Sequence, residues 1–216
     1  MNKKSLIKKV LESFKTTMVL MLICGLVFPL CLTVLGGLIF PTQANGNLVE
    51  VDGQAVGSKY VGQEFSEPYF MKSRPSAVHY NTYFEDENGN KTYADGSEFT
   101  GLASGSNNYG PSNPALVERV EKDMEAFLAA NPEISKEDIP TDLLTASGSG
   151  LDPHISVESA LIQIPAIAEA SGLEETTLAE IVENNTTHKV LGIFGEETVN
   201  VLGVNVEIYE MMNSAK

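Results

Sequence analysis

Apolar and polar positions divide the chain at once. From Met18 to Phe40 the sequence MVLMLICGLVFPLCLTVLGGLIF has no ionisable side chain apart from two thiols. A helix over these 23 residues, rising about 1.5 Å per residue, reaches roughly 34 Å, against a bilayer hydrocarbon core of about 30 Å. The pattern predicts a transmembrane helix over 16–41, after a basic amino terminus (1–15) and before a folded part (42–216). The competing reading is a cleaved secretory signal, but its apolar region is usually only about 7 to 15 residues. Thr42-Gln43-Ala44 is a tolerable cleavage triplet and no more, and neither Cys24 nor Cys31 follows the small residues that lipidation needs. Within the span, Pro29 withdraws its amide and leaves the Gly25 carbonyl without its usual donor. Thr33 and Gly37 form a small-xxx-small pair that admits close approach of another helix.

Beyond the span the pattern is mixed. Residues 43–56 read as a polar, Gly/Asn-rich linker. Tyr60, Phe65, Tyr69, Phe70 and Tyr80 then crowd a short stretch, as in a core or a buried interface. Arg74 precedes Pro75, so its backbone is extended and its guanidinium is placed to hold a carboxylate inside the domain or on a partner. Phe84 to Gly110 is loop-like, with a hairpin turn at Asn88-Gly89; so long a stretch without periodicity signals a functional or partner-held loop. At Asn113 a helix begins, with Asn113 as N-cap and Pro114 at the first position. Leu116, Val117, Val120, Met124, Phe127 and Leu128 share a face, and the helix ends near Asn131. Ser156 starts a second helix, kinked at Pro165, where Gln163 satisfies a freed backbone group or faces a partner. Val199, Val201, Val204, Val206 and Ile208 read as a closing strand with a bulge at Gly203. The expected fold class is an α+β external domain behind one N-terminal transmembrane helix.

Charge fixes the expected orientation. Lys3, Lys4, Lys8, Lys9 and Lys15 precede the span with only Glu12 in opposition, which places the amino terminus in the cytoplasm and the domain outside. The remainder holds nine basic and 28 acidic residues, a formal charge of about −19, which argues against nucleic acid or anionic lipid as its main partner. Both cysteines lie in the span, so the domain must be stable without disulfides. Ala168, Gly172, Leu178 and Ile181 imitate a helix-turn-helix, but the second helix carries four glutamates and no basic residue, and DNA phosphates would repel it.

Catalytic motifs are missing where they would be sought. Ser147 and Ser149 do not sit in G-x-S-x-G, and no G-x-x-x-x-G-K-[ST] phosphate loop occurs. Asp152 and His154 could ligate a metal or pair; lying two apart in a turn, with no other His or Cys nearby, they read more simply as a cap and local hydrogen bonds.

Five separated blocks then carry a resemblance: the single span with GQEFSEPYFMKSRPSA, GPSNP, LLTASGSGLDPHIS, Ala160-to-Pro165 as AxxQIP, and VNVL. Over nearly its whole length the chain resembles the C-subunit family of the Kdp potassium-transporting P-type ATPases. That resemblance implies an accessory subunit of the cell membrane, single-pass, and not an enzyme by itself. Its implied partners are a potassium-conducting subunit and an ATP-hydrolysing subunit; the family role is a catalytic chaperone that raises the ATP affinity of the latter. No cofactor of its own is implied, with ATP and potassium entering through the complex. Arg74, Asn113, Asp152 and Gln163 match the family and are expected to serve structure or subunit contact. Family members often carry Arg where this chain has Ala166 and Ser171, so an anion or nucleotide contact that the resemblance would assign to that basic helix face is not carried over to this chain. The alternative is a membrane-anchored or released acidic extracytoplasmic binding protein.

Overall fold

The computed structural model describes residues 3–214. Met1, Asn2, Ala215 and Lys216 lie outside the described residues, as do the side chains of Lys3, Lys4 and Ser5, and so two of the five lysines ahead of the span. The chain divides into two compact units, 1–48 and 49–216.

In the first unit, α1 (Lys3–Leu22) runs through a π-helical turn (Ile23–Val27) into α2 (Phe28–Ile39), followed by the short α3 (Pro41–Ala44). Leu6–Ile39 is the one described helix long and apolar enough to cross a membrane, and its most apolar 18 residues have a mean hydropathy of 2.7. The π turn has a local cause. Pro29 has no N–H, and its ring crowds the carbonyl four residues back, so the ladder widens by one residue and the Phe28 amide reaches the Ile23 carbonyl. Thr33 Oγ1 donates to the Pro29 carbonyl at 2.9 Å.

The second unit mixes small sheets and helices, consistent with α+β. Its first element overturns the linker expected over 43–56: β1 (Leu48–Val51) and β2 (Gln54–Ser58) pair as a hairpin. Asp52 and Gly53 at the turn both have positive φ, 52° and 76°, the signature of a type I′ connection. The Asp-Gly pair between alternating apolar positions was the available signal. β3 (Phe84–Glu85) and β4 (Lys91–Thr92) form the hairpin expected around Asn88-Gly89, with Phe84 opposite Thr92. Asp86 Oδ1 ties its loop by accepting from the amides of Asn88 and Asn90, both at 2.8 Å.

α4 (Pro114–Ala130) has the expected limits, and the Asn113 side chain accepts from the Ala115 amide as an N-cap does. None of its residues is fully buried, and Val117, expected on the covered face, is 50% exposed.

The core lies in the last third. β5 (His154–Ile155), β6 (Thr186–Thr187) and β7 (Thr198–Asn200) form an antiparallel sheet in the order β5-β7-β6. Against it pack α5 (Val157–Leu161), α6 (Ile164–Ser171), α7 (Glu175–Asn184) and α8 (Val201–Ser214). The expected kinked helix is thus two helices. Ser156 caps α5 by accepting from the Ser159 amide, and the chain restarts at Ile164 with Pro165 in the first turn, where a missing amide costs nothing. Gly172 closes α6 in the left-handed conformation, φ 76°.

The closing strand is corrected: after Asn200 the chain is helical. Val201, Val204, Asn205 and Ile208 recur at helical spacing and are buried, so tertiary packing overrides the strand preference of a valine-rich run. Gly203 is no bulge. It is the point where α8 meets Asn185, and a Cβ there would collide with the Asn185 side-chain oxygen.

Candidate functional site

Residues 59–80 contain almost no regular structure, yet Met71 is among the most buried side chains in the molecule. Side chains supply the hydrogen bonds that a neighbouring strand would otherwise give. Asn205 Oδ1 accepts from the Met71 amide at 2.7 Å, and Asn205 Nδ2 donates to the Met71 carbonyl at 2.9 Å. Gln163 repeats the device one residue on: its Oε1 accepts from the Lys72 amide at 2.8 Å, and its Nε2 donates to the Lys72 carbonyl at 3.3 Å and the Ser159 carbonyl at 2.9 Å. A buried amide side chain satisfied on both ends orders its neighbours, whereas one left unsatisfied would cost about 1–3 kcal/mol per group. Gln163 therefore serves the Lys72 backbone and not the carbonyl freed by Pro165.

Arg74 and Asp152 meet. Arg74 Nη1 donates to Asp152 Oδ2 at 3.1 Å, while Nε and Nη2 both donate to the Thr145 carbonyl at 3.3 Å, so the guanidinium divides between a carboxylate and a loop instead of clamping bidentately. Asp152 Oδ1 accepts from the His154 amide at 3.0 Å, which makes Asp152 a local turn-holder; the helix cap expected nearby is Ser156. Burial lowers the His154 pKa, opposed by the Asp152 charge. Asn113 is not in this cluster and sits at the exposed start of α4.

The neighbouring backbone is strained and pinned. His79, Tyr80 and Asn81 all have positive φ, 48° to 55°, a conformation that asparagine and histidine take more readily than most residues and that is costly for Tyr80. Ser76 Oγ holds the turn by accepting from the Val78 and Tyr80 amides while donating to the Gly150 carbonyl at 2.6 Å. Tyr80 OH donates to the Arg74 carbonyl at 2.6 Å; burial pushes its pKa up to about 12, so it remains a donor. Gly62 lies under the Tyr80 ring with its amide on the Leu151 carbonyl at 2.8 Å, and a Cβ there would strike both the ring and the Asp152 carbonyl.

A hollow of about 380 Å³ opens beside this lattice, lined among others by Glu64, Lys72, Arg74, Tyr80 and Asp123. Lys72 Nζ donates to the Phe65 and Glu67 carbonyls, each at 2.7 Å, and burial lowers its pKa against the pull of Glu67 and Glu64. A second hollow of about 480 Å³ lies between β2 and α8, away from the Arg74–Asp152 pair. Among the described residues no group of three His, Cys, Asp or Glu side chains could hold a metal. What the arrangement does is hold shape: its charges and amides fix an irregular surface to the helical core.

Three further members went unread in the sequence. Asp142 accepts from the Ser156 amide at 2.7 Å and from the Ser156 and Ser159 hydroxyls at 3.1 and 2.5 Å. Burial works to raise its pKa, but those hydrogen bonds outweigh it and the net shift is downward. Asn200 Nδ2 donates to the Lys59 carbonyl at 2.8 Å, and Asn205 holds Met71. The signal was a polar residue at a core position of a helical repeat, visible for Asn205 only once 201–208 is read at helical spacing.

The chain matches the family described as "KdpC: K+-transporting ATPase, c chain" over residues 10–210. It is 56% identical over 201 residues to a Clostridium kluyveri protein named potassium-transporting ATPase KdpC subunit, covering 93% of each chain. It is 52% identical to the protein of that name from Clostridioides difficile, covering 91% of this chain and 94% of the relative. Its counterpart in Caldanaerobacter subterraneus is 38% identical, with 97% of this chain and 98% of the relative covered. The chain belongs to the KdpC family, the c chains of K+-transporting ATPases.

Proposed function

We propose that the chain is a non-catalytic accessory subunit of an ATP-driven potassium-uptake complex, held in the cell membrane by Leu6–Ile39 with its amino terminus in the cytoplasm and its folded unit outside. The observation that carries this reading is the extent of the family match, which takes in the apolar helix and the folded unit together. The internal commitment of Arg74, Asp152 and Gln163 supports it, since these groups spend their hydrogen bonds on one another and on the chain's own backbone. Its partners are the potassium-conducting and ATP-hydrolysing subunits. Potassium and ATP are handled by those chains, and this one supports their assembly. An increase in ATP affinity across the membrane is a coupling between distant sites, so it must be reciprocal: ATP would tighten this chain's hold on the complex by the same factor.

The test is copurification of the full chain with its larger partners in mild detergent, with and without ATP. Expected are co-elution and tighter retention with ATP. Co-elution without any ATP effect would leave an assembly role alone. Orientation is read separately by labelling Leu102→Cys in intact cells with an impermeant thiol reagent; protection until lysis would reverse the topology.

A further inference from the structure

The tip of the segment joining β6 to β7 carries four large apolar side chains within five residues. Val190 is 65%, Leu191 84%, Ile193 76% and Phe194 64% exposed, and none belongs to the core cluster. An apolar patch on the order of several hundred Å² on a small domain marks an interaction site.

The tip is ordered by its own backbone. The Val190 amide donates to the Phe194 carbonyl at 2.8 Å and the Phe194 amide to the Val190 carbonyl at 3.0 Å. Between them Leu191 and Gly192 both have positive φ, 56° and 71°. Glycine adopts that conformation freely and asparagine readily, whereas a leucine is strained there. The folded unit gains nothing from the choice, because the side chain is almost wholly exposed. Leucine at this turn has value only to something the tip touches.

Charge narrows what that is. His188 lies 3.2 Å from Glu183 and 3.1 Å from Glu197, and Lys189 lies 3.6 Å from Glu196. Three carboxylates against one lysine and a histidine make an acidic collar below an apolar point. An anionic lipid surface would repel the collar, and the chain has no tryptophan to seat at a membrane interface. A second copy would set acid against acid, in a chain of formal charge −15.

We propose that Val190, Leu191, Ile193 and Phe194 form a preorganised plug that enters an apolar socket, rimmed by lysine or arginine, on a neighbouring protein subunit of the transporting complex. The inference rests on the accessory-subunit reading. The plug is too small to be a whole interface; it is the central anchor, with the collar pairing against the socket's basic rim.

The experiment uses the full chain. Leu191→Asn removes the apolar tip while relieving the strain, so its melting temperature should equal or exceed the parent's while copurification with the larger subunits falls at least tenfold. Reversing Glu196 and Glu197 to lysine should weaken copurification as well. Equal copurification of parent and Leu191→Asn would overturn the plug, and unchanged assembly after the charge reversal would overturn the basic-rimmed socket. Failure of the parent itself to copurify would instead sink the accessory-subunit reading. The lipid alternative is read from Phe194→Trp, whose tryptophan is the chain's only one, in liposomes holding this chain alone. Emission as in water is expected, and a blue shift would overturn the proposal in favour of lipid.

Discussion

Helix α4 and the irregular segment 59–80 invert the usual relation between regularity and burial. α4 has a clear apolar periodicity, a capping asparagine and a proline at its first position, yet it contributes no fully buried residue. Segment 59–80 has almost no regular structure, yet it delivers Met71 into the core and is held there by Asn205, Gln163 and Ser76. A helix satisfies its own backbone and can sit at the edge. An irregular chain can enter a core only where other groups meet its amides and carbonyls, so the burden falls on a few polar side chains.

The largest expected effect is therefore at Asn205. Asn205→Leu leaves the Met71 amide and carbonyl unpaired in a buried place, which should cost about 2–6 kcal/mol at roughly 1–3 kcal/mol for each of the two groups. Val117→Ala on α4 should stay within about 0.5 kcal/mol. Urea unfolding of the two full-length variants measures both, and equal losses would erase the contrast between the two regions.

Gly62→Ala comes next. Its Cβ meets the Asp152 carbonyl and the Tyr80 ring, so overpacking of about 1–3 kcal/mol is expected in the same assay. Asn113→Ala, which removes only the cap of α4, should cost about 1 kcal/mol and leave the far-UV signal of the folded unit nearly intact.

For the long apolar helix Leu6–Ile39 the expected effect is on assembly rather than stability. Among the described residues, nothing beyond the helix's own neighbouring backbone lies within 4 Å of a Cβ built at Gly37, so Gly37→Leu meets no side chain of the described unit. If the Thr33/Gly37 face packs on a partner helix, copurification should fall several-fold, on the order of 1 kcal/mol, while Leu35→Ile leaves it unchanged. Equal assembly of both would reduce the span to an anchor.

The smallest effects are in pH. Burial lowers the His154 pKa, so the unfolded chain takes up its proton first and stability falls as pH drops below about 6.5. His188 is the reverse: its hydrogen bond to Glu197 and the charge of Glu183 raise its pKa. Its contribution is full below about 6.5 and is lost as pH rises through the raised value. Melting curves from pH 5 to 8 should flatten on the acid side for His154→Gln and on the alkaline side for His188→Gln. A parental slope in either variant would show that histidine titrating alike in both states.

The sequence by itself determined what depends on neighbours along the chain. The span follows from length and composition, the limits of α4 from Asn113-Pro114 and Asn131, the β3–β4 turn from Asn88-Gly89, and family membership from blocks in a fixed order. Only the tertiary structure decided what depends on distant partners. Arg74 finds Asp152 across 78 positions and Met71 finds Asn205 across 134. The run 199–208 splits into a strand and a helix because Val201, Val204 and Ile208 are buried against α7 and the sheet, and valine's preference for strand is worth less than that burial. Local preferences amount to tenths of a kcal/mol per residue, whereas a buried side chain or an unpaired buried amide amounts to whole ones. Where the two disagree, the long-range term wins.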